Sequence, residues 1–220
     1  MDDKNKIISL HRKNGFDVTF YGEECVLRRY TGSEEVVYIP DDVSVIGEYA
    51  FYDNKKVKKV FFGDNIHTIQ TSAFEDCSSL EEISPLSSVK HIYPYSFSYT
   101  IRLSEVILSE VLSDIGEYAF CGSGLRSISV PDSVFTVEYK AFFACPKLER
   151  ASLGGRGAFY GESVFANCKA MTVLEVSGEV RELGYRAFSY CKNLKSVTVG
   201  KNTSLSEDVF EAVECEITYI

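Results

Sequence analysis

Eight phenylalanines recur along the chain at Phe51, Phe74, Phe97, Phe120, Phe142, Phe165, Phe188 and Phe210, with gaps of 23, 23, 23, 22, 23, 23 and 22 residues. Other positions keep step with them. A small or short-branched residue precedes each one, from Ala50 and Ala73 to Ala187 and Val209. Five residues before stand Ile46, Ile69, Ile92, Ile115, Val137, Tyr160, Leu183 and Leu205. Three residues after, four rungs carry a cysteine, at Cys77, Cys145, Cys168 and Cys191. A unit this short cannot bury its own apolar face. It must stack on copies of itself about 4.8 Å away, strand against strand. Stacking turns the recurring phenylalanine into a column of rings, each worth about 1.5–3 kcal/mol on burial.

Within a rung, alternation such as Leu194-Lys195-Ser196-Val197-Thr198-Val199 reads as a strand, with Leu194, Val197 and Val199 turned inward. Equivalent strands are expected at Leu80–Ile83, Leu103–Val106 and Leu125–Ile128. A bend follows at Pro40, Pro131 or a glycine, then a second short extended segment such as Val43–Ile46. Gly47-Glu48-Tyr49-Ala50-Phe51 reads as a single helical turn that drives its phenylalanine into the core. Residues 1–35 lack the repeat. A short helix over Lys4–Lys13, a strand at Phe16–Phe20, a turn at Gly22–Glu24 and a return strand at Cys25–Leu27 make an expected amino-terminal cap. Residues 36–220 hold about eight repeats. The last, with Glu211, Glu214 and Glu216, is atypical and reads as the opposite cap, all within one domain.

The succession Ile39-Pro40, Val43, Ile46-Gly47, Ala50-Phe51, cysteine and a Leu-x-x-Val strand resembles the BspA-like class of leucine-rich repeats over Val36–Ile220. The third repeat departs from it with Pro85-Leu86 for Ile-Pro. The sixth has Gly157 and Tyr160 where aliphatics are the rule. The resemblance implies a right-handed β/α superhelical solenoid with short parallel strands and a short helical turn in each rung. It also implies binding or adhesion, in bacterial, host-associated proteins at the cell surface or secreted, and it brings no catalytic residues to carry over.

Composition narrows the functions. A net charge of −9 is wrong for a phosphate-neutralising surface, so no nucleic-acid partner is expected. The cluster Lys55, Lys56, Lys58 and Lys59 reads as a solvated face diluted by acidic neighbours. No apolar run is long enough to span a bilayer, so no membrane insertion is expected, and no export signal is visible. The seven cysteines include no Cys-x-x-Cys pair. They read as buried free thiols, which with the missing export signal point to the cytoplasm, whereas the resemblance points outside the cell. His11, His67 and His91 read as surface residues, and no catalytic motif, metal-ligand spacing or cofactor loop appears, so neither a cofactor nor an enzyme is expected.

What is left is surface. Outward positions of the main strands make Lys59, Phe61, Glu82, Glu105, Ile107, Arg150, Val173 and Glu175 the candidate binding face. A non-catalytic module that takes a protein partner through the curved solenoid surface is the leading reading. A carbohydrate-binding module, drawing on the tyrosine and carboxylate edges, is the alternative.

Overall fold

The computed structural model describes residues 2–220, and its order follows the repeat. Helix α1 (Asp2–Lys13) leads into an antiparallel hairpin of β1 (Phe16–Tyr21) and β2 (Glu24–Tyr30). From there the chain winds in rungs, all but one of which add one strand to each of two walls. One wall is a ten-stranded sheet. It starts with β1 and β2 and continues in parallel through Val45–Ile46, Thr68–Ile69, His91–Ile92 and so on to Ser204–Leu205. Because Leu27 pairs with Ile46, the hairpin supplies the first layer of this wall directly.

The other wall carries the main strands and falls into two blocks. Val36–Tyr38, Lys59–Phe61 and Glu82–Ile83 form one. Ser127–Val130, Arg150–Leu153, Val173–Val176, Ser196–Val199 and Glu216–Tyr219 form the other. The strand expected at Leu103–Val106 is not formed, and Pro85 is the reason. In the regular register the N–H of residue 39 donates to the carbonyl of Phe61 (2.8 Å). Its equivalent two repeats on is Pro85, which has no N–H. The bond moves one residue along, from Leu86 N–H to Ile107 O at 3.0 Å, and Leu86 takes the buried seat while Pro85 turns out. The slip unzips the ladder between the third and fourth rungs.

The third side of each rung refines the expected helical turn. Its N–H groups alternate between two acceptors. Those of Ala50, Tyr52 and Asn54 close three-residue turns within the rung, while those of Tyr49, Phe51 and Asp53 reach Thr71, Ala73 and Glu75 of the next. The segment is therefore a run of reverse turns. Two residues per rung take left-handed backbone, two before and two after the phenylalanine, as at Tyr49 (φ 58) and Asp53 (φ 55). A left-handed residue with a side chain costs about 1–2 kcal/mol, and here the bonds to the next rung hold it in place. Ala144 (φ 53) makes that backbone bond, to Ala166 O at 2.8 Å, but its methyl group adds no polar contact of its own. Replacing Ala144 by Gly is expected to stabilise the protein by about 0.5–1 kcal/mol, after allowing for glycine's greater unfolded-state entropy; a raised urea midpoint checks this.

The rings stack as the spacing requires. Centroid separations from Phe51 to Phe210 run from 4.8 to 5.7 Å, with interplanar angles of 1–22°. The cap extends the column, since Tyr30 stacks on Phe51 at 5.1 Å and Phe16 lies against Tyr30 at 5.2 Å. Beside the rings runs the thiol column. Cys77, Cys145, Cys168 and Cys191 each donate Sγ–H to the carbonyl of the phenylalanine one rung earlier, at 3.0–3.2 Å. Three of these carbonyls, on Phe51, Phe120 and Phe165, also accept a turn N–H, so there the thiol is a second donor. Burial pushes Cys77 and Cys191 up to about 12.

Candidate binding face

The outward positions of the main strands fall into the two blocks that Pro85 separates. In the first, Lys59 lies opposite Glu82 and ion-pairs with it at 2.6 Å. Phe61 is half-buried because the ring of Tyr38 stacks on it at 5.0 Å and 16°. Tyr38 itself is 69% exposed. This Tyr38–Phe61 pair, extended by exposed Val36, is a continuous apolar feature of the face. Sequence reading missed Tyr38, although it stands 23 residues before Phe61 in the same register. In the second block Arg150 and Val173 are cross-strand neighbours, and Glu175 projects beside Ser152. Glu105 and Ile107 lie in the irregular fourth rung between the blocks. Ile107 is 55% exposed, on backbone that no regular strand braces.

The lysine cluster is largely neutralised in place: Lys55 pairs with Asp53, Lys58 with Glu35 and Lys59 with Glu82, at 2.6–2.8 Å. Such exposed pairs are worth little, about 0–1 kcal/mol each, and they leave little net charge to draw an anion. The adjacent carboxylates are also separately engaged, Glu81 with Arg102 and Glu82 with Lys59. The tyrosines of the turn side pack on one another. Tyr95 stacks on Tyr118 at 5.0 Å, Tyr139 meets Tyr118 edge-on, and the Lys140 ammonium lies 4.8 Å from the Tyr139 ring and 4.9 Å from Phe143. These rings already hold a cation of the chain's own.

The histidines correct one expectation. His11 is not a surface residue: it lies on the buried side of α1, its Nε2 2.8 Å from Asp42 Oδ1, and so ties the cap to the first rung. His67 and His91 sit in adjacent rungs, out of register by one residue, since His91 pairs with Thr68. His91 does gather a serine and a carboxylate that the sequence does not place together. Asp114 Oδ2 is 3.0 Å and Ser113 Oγ 3.2 Å away, but both lie at Nδ1. A serine nucleophile needs its base on the ring nitrogen opposite the carboxylate, so the cluster is not a charge-relay triad. Among the described residues no group of three or more metal-ligating side chains converges. No helix among them is long and apolar enough to cross a membrane.

All seven thiols are free, and six of them are buried. Only Cys215 has partial access, so Ellman's reagent should titrate one thiol in the native protein and all seven after unfolding. Fast reaction of two or more native thiols would contradict the buried column.

The decisive comparison concerns the repeat itself. Six copies of the BspA type leucine rich repeat region match residues 29–149 and 90–218. The chain belongs to this family. Its BspA-type solenoid is similar to that of a leucine rich repeat protein of T. pallidum, at 21% identity and a TM-score of 0.76, over 82% of this chain and 88% of that one. It is also similar to a leucine-rich repeat protein of Bacteroides ovatus, at 17% identity and a TM-score of 0.52, over 93% and 89%. At these identities the likeness is one of fold. No curated protein matches the sequence.

Proposed function

We propose that this BspA-type chain is a non-catalytic binding module that engages a protein partner through the outer face of its main strands. The observation that carries the reading is the Tyr38–Phe61 stack, solvent-facing aromatic surface on a braced sheet, beside the Lys59–Glu82 ion pair. Aromatic residues held rigid in this way supply contact area at low entropic cost, and interfaces are enriched in them. The Lys59–Glu82 pair and the Arg150, Val173 and Glu175 cluster lie on the same wall and would set register and orientation. Adhesion is one use of such a face. The family supports a repeat protein built for binding, and the Nδ1-only arrangement at His91 offers no nucleophile.

The test is capture by the immobilised chain, followed by affinity measurement on whatever protein is retained. Tyr38→Ser together with Phe61→Ser should weaken that interaction by about tenfold or more, the scale of one interface anchor. Because both side chains lie on the outer face, the melting temperature should change little. Undiminished capture by the double variant would remove this face from consideration. As for compartment, the four column thiols are buried and hydrogen-bonded, so they give no argument against a surface location.

A further inference from the structure

The junction between the cap and the first rungs holds a groove of about 870 Å³ that the main-strand face does not share. It is lined by Tyr21 and Arg28, Arg29 of the hairpin, and by Glu48, Tyr49 and Gln70 of the rungs. Its making depends on a β-bulge. Asp17 pairs with Arg29 and Val18 with Leu27, so Arg28 is the extra residue with no partner across the hairpin. Strand alternation would send two consecutive arginines to opposite faces. The bulge cancels the alternation and leaves both exposed, between buried Leu27 and buried Tyr30. No carboxylate ion-pairs with either guanidinium among the described residues, whereas nearby Arg12 is matched by Asp17. Gly47 forms part of the floor: a Cβ there would lie 2.6 Å from Leu27 O, so only glycine lets the rung close on the hairpin.

We infer that this groove binds a carboxylate-bearing sugar. Two unmatched guanidinium groups side by side suit a carboxylate, which they can hold with parallel hydrogen bonds. Gln70 Oε1 accepts the backbone N–H of Glu48 at 3.1 Å, which leaves the Gln70 amide N–H groups to donate into the groove. Tyr21, 65% exposed, and Tyr49, 48% exposed, offer ring faces to the apolar side of a pyranose. The groove also carries the carboxylates of Asp17, Glu24 and Glu48, of which Asp17 is engaged by Arg12. They would repel a dianionic phosphate or a polyacidic peptide, whose added negative charges they meet, but they accept hydrogen bonds from sugar hydroxyls. One carboxylate among many hydroxyls is the combination that fits both sets of groups.

The shared chemistry occurs in uronic acids and in sialic acids, and calorimetric titration of the full chain separates them. Trigalacturonate and 3′-sialyllactose are the acidic probes, with maltotriose and lactose as neutral counterparts and inorganic phosphate and pentaglutamate as anionic controls. Binding of at least one acidic sugar is expected, together with no measurable binding of its neutral counterpart. The Arg28→Gln, Arg29→Gln variant should lose about tenfold or more in affinity, the scale of a charged hydrogen bond, with the melting temperature unchanged. Tyr21→Ala, at the exposed tip of the hairpin, should weaken the same sugar independently of the arginines. The inference is overturned by no heat from either acidic sugar up to about 10 mM. Equal affinity for a neutral sugar, tighter binding of phosphate or pentaglutamate, or indifference to both variants would overturn it equally.

Discussion

Phe142→Ala should cost about 3–5 kcal/mol, whereas the same change at Phe210 should cost about 1–2 kcal/mol. Phe142 is fully buried, with the Phe120 ring 5.1 Å away on one side and the Phe165 ring 4.8 Å away on the other, both within 2° of parallel. Truncation removes two ring contacts and leaves a cavity in a wall of backbone that cannot collapse inward, because each rung is pinned to the next by strand and turn hydrogen bonds. Phe210 is only partly buried and has one ring neighbour, Phe188, at 5.7 Å. The two variants should also unfold differently. Solenoid stability is a sum of rung and interface energies, so a weakened middle interface lets the two halves melt apart. Phe142→Ala is therefore expected to give urea transitions that no longer coincide between near-ultraviolet and far-ultraviolet signals, while Phe210→Ala stays cooperative. Equal losses at both positions would mean that the stack is not the spine of the protein.

The ring column is legible in the sequence because a core shared between rungs forces identical chemistry at fixed intervals. The same logic explains what escapes. Tyr30 continues the column only 21 residues before Phe51, without the small residue in front, because it comes from a hairpin with its own geometry. The left-handed turn residues leave little trace, since Tyr49, Ser72, Lys140 and Arg186 share a backbone conformation but no side-chain property. What fixes them is the hydrogen bond to the neighbouring rung, and that bond is indifferent to the side chain. The lost strand of the fourth rung, in contrast, has a visible cause one rung away. A proline that displaces the repeat's own proline by one residue must move one ladder bond.

The surface is less legible than the core, for a physical reason: packing constrains what faces inward, and water tolerates almost anything facing outward. Alternation places Lys59, Phe61 and Glu82 correctly on one wall but cannot tell that Tyr38 will lie flat on Phe61. It places Glu105 and Ile107 on a strand that Pro85 undoes. The paired arginines of the cap do leave a mark, in the run Leu27-Arg28-Arg29-Tyr30, where two polar residues separate two inward ones and the period of two breaks. The same holds for His11, which follows Ile7 and Ile8 at helical spacing and so shares their inward side.

Restoring the repeat's own aliphatic residue in the sixth rung should harm the protein. Tyr160 occupies a column otherwise filled by isoleucine, valine or leucine, so Tyr160→Ile looks like a consensus repair. The rung is compensated, however. Its turn runs one residue late: Ala158 N–H closes onto Gly155 O, where Val134 N–H closes onto Pro131 O in the rung before. Ala158 therefore takes the valine's buried seat, with Gly157 displaced into solvent at φ 72. An alanine leaves unfilled volume, and the fully buried Tyr160 ring fills it, its hydroxyl donating to Gly154 O at 2.9 Å. Burial pushes the phenol up, so it stays neutral and keeps that donor across the working range of pH. Isoleucine would lose the hydrogen bond, strand the Gly154 carbonyl and open a cavity, for about 2–4 kcal/mol in all. Tyr160→Phe, which keeps the ring and loses the hydroxyl, should cost about 1–2 kcal/mol. Urea denaturation of both variants separates packing from hydrogen bonding. A Tyr160→Ile protein as stable as the parent would show that the late turn, and with it the compensating ring, is not how this rung closes.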